Sequence, residues 1–105
     1  MNVGISHLRA FVAVLEQGGF GLAAAELGVS QSAVSHAVAA LERSLGAPVL
    51  VRGGQPRPTA FGERILPEAR RVVDSFRAIR ELADRHGARP AGTVRVAAPA
   101  APQGR

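Results

Sequence analysis

Residues 20–45, FGLAAAELGVSQSAVSHAVAALERSL, decide the fold. They read as two helices broken by a tight turn at Leu27-Gly28-Val29-Ser30. Gly28 suits the positive-φ residue that closes a helix, and Ser30 is a strong N-cap for the next one. Ala23, Ala24 and Leu27 form an apolar face before the turn. After it, Val34, Val38, Leu41 and Leu45 recur at spacings of four, three and four. Small residues at Ala23 to Ala25 let the two helices cross closely. Gln31, Ser32, Ser35 and His36 fall outside the apolar stripe and make an edge of short hydrogen-bonding groups. A helix-turn-helix reads DNA with such an edge, but a helical hairpin with a solvated face carries one too. Taken alone, the segment leaves both open.

The flanks favour the first reading. Upstream, residues 6–17 form a helix with Ser6 as its N-cap and with Leu8, Phe11, Val12 and Leu15 at helical spacing. Gly18-Gly19 stops it, and Phe20 plugs the core under the helix pair. Downstream, Gly46 ends the second helix of the pair and Pro48 prevents its resumption. Val49-Leu50-Val51 reads as a short strand, and residues 52–58, RGGQPRP, as a tight turn and return. A small β-hairpin placed there is a wing. Its glycines permit close approach to phosphates, with Arg52 and Arg57 supplying charge. Without its neighbours the same stretch is a surface loop with two solvated arginines.

Thr59 caps the last and longest helix, about residues 60–86. Ile65, Ala69, Val72, Phe76, Ile79 and Ala83 recur at alternating spacings of four and three, a coiled-coil seam flanked by Leu66, Val73 and Leu82. A helix of that length spans about 40 Å, more than a three-helix core can cover, so the seam calls for a partner. A second copy of the chain is the simplest one. Pro67 is expected to bend this helix, and Gly62 to weaken its start. Beyond it, residues 87–105 are broken by Gly and Pro, except for the strand-like Thr93-Val94-Arg95-Val96.

The composition narrows the functions. The 105 residues hold one compact domain and an arm, and the absence of cysteine removes disulfides and thiolate metal sites. No apolar run approaches the ~20 residues of a membrane span, so a cytoplasmic location is expected. The net charge is +5 and every basic residue is arginine, a side chain that forks onto phosphate and guanine, although an all-arginine, alanine-rich chain equally fits a high-GC genome. Residues 1–58, however, carry Arg9, Arg43, Arg52 and Arg57 against Glu16, Glu26 and Glu42, a net of only +1. The helix pair is not itself a basic patch. His7, His36 and His86 lie on three separate elements without ligand spacing, so no metal is expected. No serine has an acid and base in a recognisable order, so no catalytic residue is expected either. Glu42 and Arg43, on the far half of the second helix, read as a solvated salt-bridging pair and not as base readers, with Arg43 also within range of a phosphate.

With these residues in view, the chain resembles the N-terminal region of LysR-type transcriptional regulators from about Ile5 to Val96. HLRAFVAVLEQGGF resembles that family's first helix and loop, and LAAAELGVSQSAVSHAVAALERSLGAPVL its helix-turn-helix. RPTAFGERILPEARRV resembles the start of its linker helix, and GTVRVAA the opening strand of its effector-binding domain. The order of these pieces is more specific than any one of them.

The resemblance implies a mainly α winged helix-turn-helix, a three-helix core with a β-hairpin wing, followed by a long dimerisation helix. It implies residues 1–58 as the DNA-binding domain, 59–87 as the linker helix, and 88–105 as a hinge and first strand of an effector-binding domain too large for this chain. The implied partners are double-stranded DNA and a second copy, with tetramers in a full-length regulator. A small-molecule effector would bind the missing domain, and no cofactor is expected here. Gln31, Ser32, Ser35 and His36 match the family's base-edge and nearby backbone contacts, and Arg52 and the wing its backbone and minor-groove contacts. The family commonly has proline at Ser32, arginine at His36 and at Gln55, a basic residue at Ala40, and a Thr or Ser helix cap at Gly21. Histidine lacks the guanidinium fork, so an altered sequence preference and a weaker, less salt-dependent affinity are expected. The other reading is a protein-interaction module whose helix-turn-helix no longer reads DNA.

Overall fold

The periodic apolar positions converge on one core. The computed structural model describes residues 1–87. They form α1 (Ile5–Gln17), α2 (Phe20–Leu27), α3 (Gln31–Leu45), β1 (Leu50–Val51), β2 (Arg57–Pro58) and α4 (Ala60–Gly87). The chain divides into two units, residues 1–73 and residues 74–105. The expected strand at Thr93 to Val96 lies outside the described residues.

In the first unit, Phe11 and Val14 of α1 meet Val34, Val38 and Leu41 of α3, all fully buried together with Val49 and Leu50. Burying each such side chain is worth about 1.5–3 kcal/mol, so these contacts dominate the fold. Ala23 and Ala24 are buried on α2, where their small size brings the helices together. Ala25 is exposed and takes no part in that crossing. Phe20 is half-buried against the core as expected.

The helix ends follow the local signals with two exceptions. Gly28 closes α2 at φ 70°, in the left-handed region, and its N–H donates back to the Ala24 and Ala25 carbonyls. Ser30 then caps α3, its Oγ accepting from Ala33 N at 3.0 Å. At α1, however, the cap is Gly4 rather than Ser6. His7 Nδ1 accepts from the Gly4 amide at 3.3 Å, which ties off the helix start two residues earlier. At α2 the cap is Gly19, so Gly21 is not a cap at all but a first-turn residue.

The wing is a two-stranded antiparallel hairpin in register Leu50↔Pro58 and Val51↔Arg57. Val49 stands just before β1, where its carbonyl accepts from Thr59 N at 3.1 Å. Thr59 Oγ1 donates to the Pro48 carbonyl at 2.7 Å and accepts from Gly62 N at 2.9 Å, capping α4 onto the wing. Gly62 does not act as a weak point. It is buried, and a Cβ there would fall on the Val49 carbonyl oxygen. Only glycine lets α4 approach β1 so closely.

Helix α4 runs through Pro67 without interruption. Its first half is part of the core: Ala69 and Val73 are buried, with Phe61, Ile65 and Leu66 packed beside them. The seam therefore needs correction in its first half. Ala69 is 2% exposed and is consumed by the chain's own core, and Ile65 partly so. For the same reason the first unit extends to Val73, past the expected boundary at residue 58. Val72 is exposed at 44%. In the second unit Phe76 is half-buried, Ile79 and Leu82 are exposed at 62% and 59%, and Ala83 is also exposed.

Candidate nucleic-acid interface

The polar edge of α3 is where the spacing puts it. Gln31, Ser32, Ser35 and His36 are all exposed on the helix that buries Val34, Val38 and Leu41 on its other side. The Ser30 cap fixes the first turn and so the direction in which Gln31 and Ser32 leave the backbone. A Cβ built at Gly21 would stand 3.4 Å from Gln31 Oε1. The Gln31 amide thus lies beside the first turn of α2, and the missing side chain at Gly21 leaves it room.

On the wing, Gly53 and Gly54 turn at φ 87° and 68°, leaving Gln55 and Arg57 exposed. The Gln55 amide lies near Gly18, where a Cβ would meet its Nε2 at 3.7 Å. Arg52 is placed differently from the other wing residues. Its Nη2 donates to Glu42 Oε1 at 2.7 Å, and its guanidinium stands over the Phe20 ring, 5.8 Å from the centroid.

Glu42 is the residue that sequence reasoning missed. It reads as a member of a solvated pair with Arg43, but its side chain is only 17% exposed. Its Oε2 accepts from Val49 N at 2.8 Å and Leu50 N at 3.3 Å, while its Oε1 holds Arg52. One carboxylate thereby joins α3 to the wing. The available signal was the strand itself, since amides entering a two-stranded edge need acceptors from outside the ladder.

On α4, Arg70 pairs with Glu16 at 3.7 Å and Arg71 with Glu68 at 2.6 Å. The Glu68 hydrogen bond, and then its charge, raise the Arg71 guanidinium above its ordinary pKa. Among the described residues, no three His, Asp or Glu side chains come together as a metal site. No helix in this span is long and apolar enough to cross a membrane.

Residues 5–63 match the model of the bacterial regulatory helix-turn-helix protein, lysR family. The chain belongs to the LysR family. Within it, the chain is 52% identical over 65 residues to the HTH-type transcriptional regulator ArgP of Pseudomonas aeruginosa, covering 62% of this chain and 22% of that relative. It is 43% identical over 94 residues to the small neutral protease regulatory protein of Streptomyces coelicolor, covering 86% of this chain and 30% of that one. This LysR-family chain thus spans less than a third of the length of either. Among solved structures, it is similar to the CbnR DNA-binding domain in complex with DNA, with a TM-score of 0.68 and 30% identity. That match covers 82% of this chain and 100% of the other. The Corynebacterium glutamicum OxyR C206S mutant gives a TM-score of 0.79 at 31% identity, over 88% of this chain and 29% of that one.

Proposed function

We propose that this chain is the DNA-binding part of a LysR-type transcriptional regulator that acts in the cytoplasm as a homodimer on a pseudo-palindromic promoter site. Each α3 enters a major groove and presents Gln31, Ser32, Ser35 and His36 to base edges and nearby phosphates. The wing meets the backbone or minor groove through Gln55 and Arg57, while Arg52 orients it. Half-sites one helical turn or a multiple apart follow from two-fold symmetry. The homodimer would form along α4, where Val72, Ile79 and Leu82 are exposed apolar residues. A small-molecule effector would act through a further domain by changing how dimers are placed, and tetramers would arise in the longer protein.

The observation that carries this reading is the capped α3 with its exposed polar edge, in a fold matching a domain that is itself seen in complex with DNA. The test is a gel shift on intergenic DNA upstream of the protein's own gene, with competitor present. Each good base contact is worth about 1–3 kcal/mol, so replacing Gln31 and Ser35 by alanine is expected to lower specific affinity tenfold or more. Dimerisation, read by sedimentation, is expected to persist. If wild type and variant bind DNA equally, or neither binds, the helix-turn-helix is serving protein contacts instead. The low charge of residues 1–58 keeps that second reading in the comparison.

A further inference from the structure

The carboxylates of the first unit are unevenly used. Glu42 takes Arg52, Glu16 takes Arg70 and Glu68 takes Arg71. Among the described residues of this unit, Arg9, Arg43, Arg57 and Arg64 form no ion pair. Arg57 is on the wing and Arg64 near the start of α4, but Arg9 and Arg43 line one groove between α1 and α3. The groove has a volume of about 710 Å³ and is walled by Ser6, His7 and Arg9 on α1 and by His36 and Arg43 on α3, with the apolar Leu27 and Val29 also lining it. No carboxylate lines it.

Three details make it a built feature. Positions 36, 40 and 43 share one face of α3, so His36 belongs both to the reading edge and to this wall. Small side chains at Ala33, Ala37 and Ala40 keep the floor low between them. The Ser44 hydroxyl donates to the Asn2 carbonyl at 2.9 Å, which fixes the start of the chain against α3. The α1 wall is therefore held by a contact outside the groove.

We infer that this groove is a phosphate track: Arg9 and Arg43 clamp the DNA backbone beside the segment that α3 reads. The inference rests on the DNA-binding reading and adds two contacts to it. A groove that holds two arginines and no carboxylate, continuous with a base-reading edge, meets the strand that borders the major groove, where phosphates are the nearest ligands. These arginines would set affinity, not sequence choice. Ser6 and the protonated ring nitrogen of His7 supply hydrogen-bond donors to the same oxygens; His7 Nδ1 is already an acceptor for Gly4 N, which leaves Nε2 as the donor.

The test measures binding of the whole chain to its specific site and to unrelated DNA across a salt series, for wild type, Arg9→Ala, Arg43→Ala and the two lysine variants. Each alanine is expected to lower the slope of log K against log salt by about one and to weaken both DNAs by the same factor. Lysine is expected to restore the slope. A parallel titration of the DNA-free chain with inorganic phosphate separates a backbone track from a small-anion pocket. The track predicts no saturable binding at low millimolar phosphate. Saturable phosphate binding that depends on Arg9 and Arg43, with the DNA slope unchanged, overturns the inference in favour of a small-anion site. Unchanged slopes with no phosphate binding overturn it too, while a Gln31/Ser35 variant that still loses specificity leaves the DNA-binding reading intact. No DNA binding by wild type ends both.

Discussion

Glu42 and Gly62 are single residues on which the site's geometry turns. Removing the Glu42 carboxylate strands the amides of Val49 and Leu50, both fully buried residues, and frees Arg52. Each unsatisfied buried donor costs about 1–3 kcal/mol, so with two amides stranded Glu42→Ala is expected to destabilise the chain by about 2–6 kcal/mol. Glu42→Gln keeps an acceptor for one or both amides and should lose less. Urea midpoints measured for both variants check this, and equal losses would mean that the amide acceptors are not what matters. Gly62→Ala opposes two effects. Helix propensity favours alanine by up to about 1 kcal/mol, whereas the Cβ would collide with the Val49 carbonyl and disturb its bond from Thr59 N. Overpacking against backbone costs about 1–3 kcal/mol, so the clash wins and the variant is expected to melt lower. A rise in its melting temperature would show that α4 can back away from β1 without loss.

At the scale of elements, the reading helix depends on its first turn. Ser30 supplies the side-chain acceptor at the start of α3, and the Gln31–Ser32 pair follows at once. Ser30→Ala is expected to cost about 1 kcal/mol. For a domain of this size that is a fall of about 4–8 °C in Tm, readable by circular dichroism. Because fraying there moves Gln31 and Ser32, specific DNA affinity should fall more than non-specific affinity; a proportional fall in both would place the cap's effect in stability alone. The helix boundaries were legible from such short-range chemistry. As helix ends, Gly28, Ser30 and Thr59 bond within four residues of themselves, and a sequence displays that distance directly. At α1 two nearby residues can each begin the helix, and the contact that selects Gly4 over Ser6 comes from a histidine ring.

For the whole molecule, the periodic stripe of α4 divides between a buried part and an exposed part. The first unit takes Ala69 and Val73 into its core, while Val72, Ile79, Leu82 and Ala83 are exposed and Phe76 is half-buried; this is the face along which the proposed homodimer would form. Ile79→Asp with Leu82→Asp is expected to convert the proposed dimer to monomer in sedimentation equilibrium at micromolar concentration, since burying unpaired carboxylates in an apolar seam is costly. A dimer that survives both changes would require another interface. Loss of the dimer should also weaken binding to a two-half-site operator far more than to one half-site, because the second contact no longer benefits from linkage.

The sequence by itself determined the order of elements, the turn at Gly28 and Ser30, the wing, and the exposed edge from Gln31 to His36. All of these are written in periodicity and local capping, which act over a few residues. Only the tertiary structure decided that Glu42 ties α3 to the wing, that Gly62 is a contact and not a weakness, and that Ala69 belongs to the chain's own core. It alone brought Arg9 and Arg43 to one groove from positions far apart in the sequence. The physical reason is that a 3.5-residue repeat shows that a face is apolar without showing what covers it. In the same way, a carboxylate's spacing does not say which distant amides will need an acceptor. Those pairings are settled when the helices and hairpin dock, because buried donors must then find partners within reach.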